Sequence, residues 1–181
     1  MRTLILGIGN LLLCDEGVGV HAARALQRED LPSHIITLDI GTALLDALPE
    51  IERADHIIII DAMKADHAPG TVYRVPLEDC VRPEYIASLH GFDLSRVMFL
   101  AGRTSPPDVI VIGVEPARIE WGTELSPQIR ETIPAVIETI KTEIAKYNSM
   151  NTEHISLSET LFQSIEESGG TTVKRGRSNS L

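Results

Sequence analysis

The sequence predicts an α/β protein with a mainly parallel, doubly wound sheet, and three observations carry that expectation. Apolar runs of strand length alternate with stretches of helical periodicity along most of the 181 residues. One run, His56 to Ile60 (HIIII), is apolar on both faces, as a strand in the middle of a parallel sheet is. Aromatic residues are scarce at 4%, so the core must be aliphatic, and the Ile, Val and Leu runs supply it.

The elements follow in order. Residues 3–8 (TLILGI) read as the first strand, which Gly7, Gly9 and Asn10 break before an amphipathic helix from Val18 to Arg28. Ser33 to Ile40 gives a second strand, Thr42 to Arg53 a second helix after Gly41, and HIIII a third strand. Gly70 to Leu77 (GTVYRVPL) alternates and contains Pro76, which suits an edge strand, where a missing backbone donor is tolerated. Ser88 to Gly102 holds a helix from about Asp93, Pro107 to Gly113 (PDVIVIG) another buried strand, and Ser126 to Tyr147 a long helix with Pro127 in its first turn. From Ser149 the chain turns rich in Ser, Thr, Glu and Gly. The expected organisation is therefore one domain over residues 1–148 and a flexible tail over 149–181, with room for a short helix near Leu157 to Ile165.

Composition narrows the function classes. A hydrophobic share of 43% with 23% charged residues is ordinary globular usage. A formal net charge of −10 argues against nucleic acid or an anionic membrane as partner, because both need clustered Lys and Arg. Cys14 and Cys80 have no zinc-ligand spacing and read as reduced thiols, which points to the cytoplasm. The apolar run Leu4 to Leu13 is too short to span a bilayer, so no membrane insertion is expected.

In open α/β sheets ligands bind beyond the carboxyl ends of the strands, so polar residues directly after apolar runs carry the search for chemistry. Three stand out: Glu16 after the first strand, Asp61 at the end of HIIII, and His90 in the Ser88-Leu89-His90-Gly91 loop. Two carboxylates and an imidazole can bind a divalent transition metal and leave positions open for water or a partner's ligand. Each also has a plainer reading. Asp61 can cap a helix or turn, His90 can be a surface or core histidine, and Glu16 can favour the dipole of the helix starting near Gly17.

Other constellations lack their working parts. There is no HExxH, GxSxG elbow or Walker A loop. The GIGNLL segment, Gly7 to Leu12, imitates a dinucleotide fingerprint, with Asp39 where a ribose-binding acid sits. However, Leu12 replaces the third glycine, and Asp15 and Glu16 would repel a pyrophosphate. Cys14 has acidic neighbours and no evident base, which disfavours a thiolate nucleophile.

Taken together, Gly7-Ile8-Gly9-Asn10 with Asp15-Glu16-Gly17-Val18-Gly19, then Asp39-Ile40-Gly41-Thr42, Asp61-Ala62 and Ser88-Leu89-His90, resemble the hydrogenase-maturation protease family over residues 1–147. The resemblance implies a three-layer α/β/α sandwich. It also implies an endopeptidase that removes the C-terminal extension of a [NiFe]-hydrogenase large-subunit precursor after nickel insertion. By the same resemblance Glu16, Asp61 and His90 contact the metal and serve catalysis, while Gly41 and Thr42, with Asp39 beside them, face substrate. The nickel comes with the precursor, and no organic cofactor is expected. Two rival readings remain: a nickel-dependent checkpoint or chaperone that uses the same three residues without cutting, and a nucleotide-binding oxidoreductase built on the GIGN turn. One departure from the family pattern is that this chain runs on beyond the long helix ending near Tyr147.

Overall fold

Strands form where the apolar runs predict them, in a computed structural model that describes residues 1–81 and 107–168. They are β1 (Thr3–Ile8), β2 (Ile35–Gly41), β3 (His56–Ala62), β4 (Val72–Pro76) and β5 (Asp108–Val114). Between them lie α1 (Val18–Leu26), preceded by a 3-10 turn at Cys14–Gly17, and the short α2 (Leu48–Ile51); α3 (Pro127–Ser168) follows β5.

The strand order is β2-β1-β3-β5-β4, with every pairing parallel except the last, where β4 runs antiparallel to β5. β3, the doubly apolar run, is central, and β4, which contains Pro76, is an edge, as the sequence predicts for both. Alternation divides the core. Ile58 and Ile60 pack with Val18, Ala22, Leu26 and the inner face of α3 (Ile129, Val136, Ile140). Ile57 and Ile59 pack on the opposite face with Leu4, Leu6, Ala47 and Ile51. The result is helix, sheet, helix. All four isoleucines of β3 are fully buried, and each such side chain stabilises the fold by about 2 kcal/mol or more.

Two elements differ from expectation. The segment expected as one helix over Thr42 to Arg53 is a 3-10 turn at Leu44–Ala47 followed by the single turn of α2. Pro49 explains the break, since it has no backbone N–H to give and fits only the first turn of an α-helix, which must then begin beside it. The second difference is that α3 runs through Ser168, so the polar composition from Ser149 onward does not end the helix. Packing divides the chain into Met1–Ile144 and Ala145–Leu181. The helix expected within Ser88 to Gly102 lies outside the described residues.

Candidate active site

Glycine contacts set the position of the first candidate. Gly19, in the first turn of α1, lies so close to the carbonyls of Ile8 and Ile60 that any Cβ there would collide with both. The start of α1 is thereby pressed onto the carboxyl ends of β1 and β3. Gly9, at φ +141°, has the backbone of Glu16 where its own Cβ would be. Gly7 meets Gly19 and Ala23 in the same way. The GIGN and DEGVG blocks are two halves of one interlock, and the Cys14–Gly17 turn it holds rests against β3.

That turn carries Glu16, which is 8% exposed, and Asp61 near the end of β3 is 1% exposed. β3 extends through Ala62, so Asp61 sits inside the strand rather than capping a helix. Its Oδ1 accepts a hydrogen bond from the backbone N–H of Ala62 at 2.7 Å. Two buried carboxylates thus occupy the carboxyl end of the sheet, where the strand-end argument expects a site. The third candidate, His90, lies outside the described residues. Among the described residues no three His, Cys, Asp or Glu side chains form a metal-binding group.

The substrate-facing candidates adjoin the same interlock. Asp39 Oδ1 accepts from Gly41 N at 3.2 Å and Oδ2 from Arg24 Nε at 2.7 Å, so the carboxylate closes the turn after β2 and ties it to α1. Gly41 takes φ +52°, and its carbonyl accepts the N–H of Gly9 at 3.0 Å. Thr42 is exposed on that turn. The backbone of Glu16 and Gly17 packs directly on Gly9, whereas a dinucleotide fingerprint keeps its glycines open for the pyrophosphate to approach.

Asp15 and Glu115 have roles that the sequence reading leaves out. Asp15 is fully buried, and hydrogen-bond donors converge on both of its oxygens. Oδ2 accepts from Ala117 N at 3.0 Å, Arg118 N at 2.9 Å and Ser126 Oγ at 2.9 Å, and Oδ1 accepts from Ser126 N at 2.7 Å. Glu115 directly follows the apolar run of β5, so the strand-end criterion that picks Asp61 also points to it. Its Oε2 accepts from Ala65 N at 2.8 Å and from the Tyr73 hydroxyl at 2.5 Å, which fastens the β3–β4 loop. Burial pushes its pKa up, but these bonds, with the backbone N–H groups of His67 and Asp66, outweigh burial and hold it below the usual carboxylate value. Burial, reinforced by that glutamate, raises the Tyr73 hydroxyl well above its ordinary pKa.

A depression of about 350 Å³ lined by His21, Leu125, Arg130 and Pro134 contains none of the candidate residues. It lies open to solvent, and no convergent set of candidate groups reaches it, so it stands outside the chemistry.

Comparison with known proteins decides between the readings. The sequence model of a family described as hydrogenase maturation protease matches residues 20–143. The chain belongs to the hydrogenase maturation protease family. It is 37% identical to hydrogenase expression/formation protein HupD of Thiocapsa roseopersicina over 152 residues, 80% of this chain and 68% of that one. It is 34% identical to the hydrogenase 2 maturation protease of Escherichia coli, over 77% of this chain and 88% of the relative. Among solved structures, the E. coli hydrogenase-maturating endopeptidase HybD superposes with a TM-score of 0.71 at 32% identity, covering 81% of this chain and 94% of its own. The [NiFe] hydrogenase maturation protease HybD of Thermococcus kodakarensis gives 0.68 at 27% identity, over 78% of this chain and 98% of its own. This maturation protease is accordingly a peptidase with the α/β fold of that family. No helix among its described residues is long and apolar enough to cross a membrane.

Proposed function

We propose that this protease removes the C-terminal extension of a nickel-loaded [NiFe]-hydrogenase large-subunit precursor, and that Glu16, Asp61 and His90 meet the nickel the precursor carries. The observation that supports this most is the pair of buried carboxylates, Glu16 and Asp61, fixed at the carboxyl end of the sheet by the Gly9 and Gly19 contacts. Anionic oxygen ligands suit a divalent ion whose own shell is incomplete, and a buried setting strengthens that attraction. Docking on the metal would bring the scissile peptide beside the carboxylates, one of which can take or return a proton. The turn formed by Asp39, Gly41 and Thr42, hydrogen-bonded to the GIGN loop, would guide the substrate chain past them. A buried, free Cys14 suits a reducing compartment such as the cytoplasm.

The experiment is to incubate the full chain with nickel-loaded and nickel-free precursor and follow the precursor's mass. Loss of one C-terminal peptide from the nickel-loaded form alone is the expected result. Stable binding without any loss of mass would support the checkpoint reading instead, and equal cutting of both forms would remove nickel from the recognition step.

A further inference from the structure

The loop from Glu115 to Ser126 exposes large apolar side chains while being tied down along its length. Trp121 is 82% exposed and Ile119 41%. Leu12, on the loop before the Glu16 turn, is 53% exposed. A large apolar side chain left in water forgoes the stabilisation of burial, and here the backbone that carries it is held in place. Its amides at Ala117, Arg118 and Ser126 are bound to the Asp15 carboxylate. Gly122 exchanges backbone bonds with the same segment, its N–H going to Leu12 O at 2.9 Å and its carbonyl accepting from Cys14 N at 2.9 Å. Leu12 and Trp121 are therefore held beside one another, on the segment that continues directly into Glu16.

The charges on the loop are matched internally. Arg118 pairs with Glu120 at 3.1 Å, and Glu124 pairs with Arg130 at 3.0 Å. A partner meeting this surface finds no uncompensated charge from these four, so its recognition falls to apolar contact.

We infer that Leu12, Ile119 and Trp121 form the docking surface for an apolar patch of the hydrogenase large-subunit precursor, seated next to the carboxylates. The inference rests on the proposed function for the identity of the partner. The patch is joined to the candidate active site through the Leu12–Asp15 segment, which is bonded to Gly122 and runs directly into Glu16. A rigid aromatic anchor gives contact area at little entropic cost, which is how a few residues come to dominate an interface.

Trp121 is the single tryptophan of the chain, and 5-fluorotryptophan incorporated into the full-length protein gives one fluorine resonance that reports on the patch. Nickel-loaded precursor should shift or broaden that resonance. Trp121→Ala should raise KM for processing by about tenfold or more and leave kcat within about twofold, with circular dichroism unchanged. An unchanged KM overturns the docking surface while the proposed function stands. If wild-type protein does not cut the precursor, the proposed function fails, and the resonance decides the patch separately: a shift with precursor sustains it, and no shift overturns it. A resonance that moves with the protein's own concentration, without precursor, assigns the patch to a second copy of the chain and also overturns the inference.

Discussion

Asp15 and Ser126, 111 residues apart, are joined by two hydrogen bonds, one from the serine N–H and one from its hydroxyl. This link lies beside Glu16 and closes the loop after β5 onto the turn before α1. A carboxylate with so many donors converging on it cannot be removed without leaving buried donors unmet. Asp15→Ala is expected to lower the unfolding free energy by about 3 kcal/mol or more, read from urea denaturation. Asp15→Asn should lose less, because one oxygen remains an acceptor, although its NH₂ must then face at least one of the same donors. A loss below about 1 kcal/mol for the alanine variant would mean that the loop is held by its backbone bonds alone.

Gly19→Ala tests the interlock. The added methyl would meet two backbone carbonyls, Ile8 O and Ile60 O, and neither can rotate away as a side chain could. The expected cost is about 3 kcal/mol, with α1 displaced from the strand ends and processing lost with it. Thermal unfolding and a processing assay check both parts. An alanine variant as stable and as active as the wild type would show that the approach of α1 does not position Glu16.

Two histidines predict how stability responds to acid. Burial lowers the pKa of His56 below 6.5 despite the opposing charge of Asp108, and burial followed by Arg24 lowers that of His21. As pH falls, the unfolded chain therefore takes up these protons before the folded one. Their contribution is complete above pH 6.5 and is lost progressively as pH falls towards the depressed folded values, with a slope of up to about 1.4 kcal/mol per pH unit for each proton. His21 is half-buried, and solvent screening reduces its share. Urea midpoints should hold steady above neutrality and decline through the range below it, and His56→Gln should flatten that decline. A midpoint independent of pH in that range would contradict the assignment.

Much of the fold is legible in the sequence because the sheet is written in apolar runs. HIIII admits no reading but a strand buried on both faces, and Pro76 places its own strand at an edge. The helix after β2 is less legible, because Pro49 moves the start of α2 from the expected Thr42 to Leu48 and periodicity does not register that shift. Composition also misjudges the end of α3, where a polar helix and a polar tail look alike. The strand-end rule picks Glu16 and Asp61 as candidates, and both lie buried at the carboxyl end of the sheet; Glu115 meets the same rule and is held by Tyr73 and Ala65. Asp15 is the least legible, since its donors come from Ala117, Arg118 and Ser126, and no local pattern records a contact across that separation. What the two glycine blocks do becomes clear only when Gly9 and Gly19 are seen against the backbones they touch.

The most direct test of the site is single-turnover processing of nickel-loaded precursor by wild type, Glu16→Gln and Asp61→Asn. Each substitution preserves shape and replaces a carboxyl group by an amide, and in Asp61→Asn the remaining amide oxygen can still accept the N–H of Ala62. Both variants should keep the wild-type circular dichroism and cut at least about a hundredfold more slowly. Variants that fold and cut at the wild-type rate would contradict the assignment of these carboxylates to the chemistry.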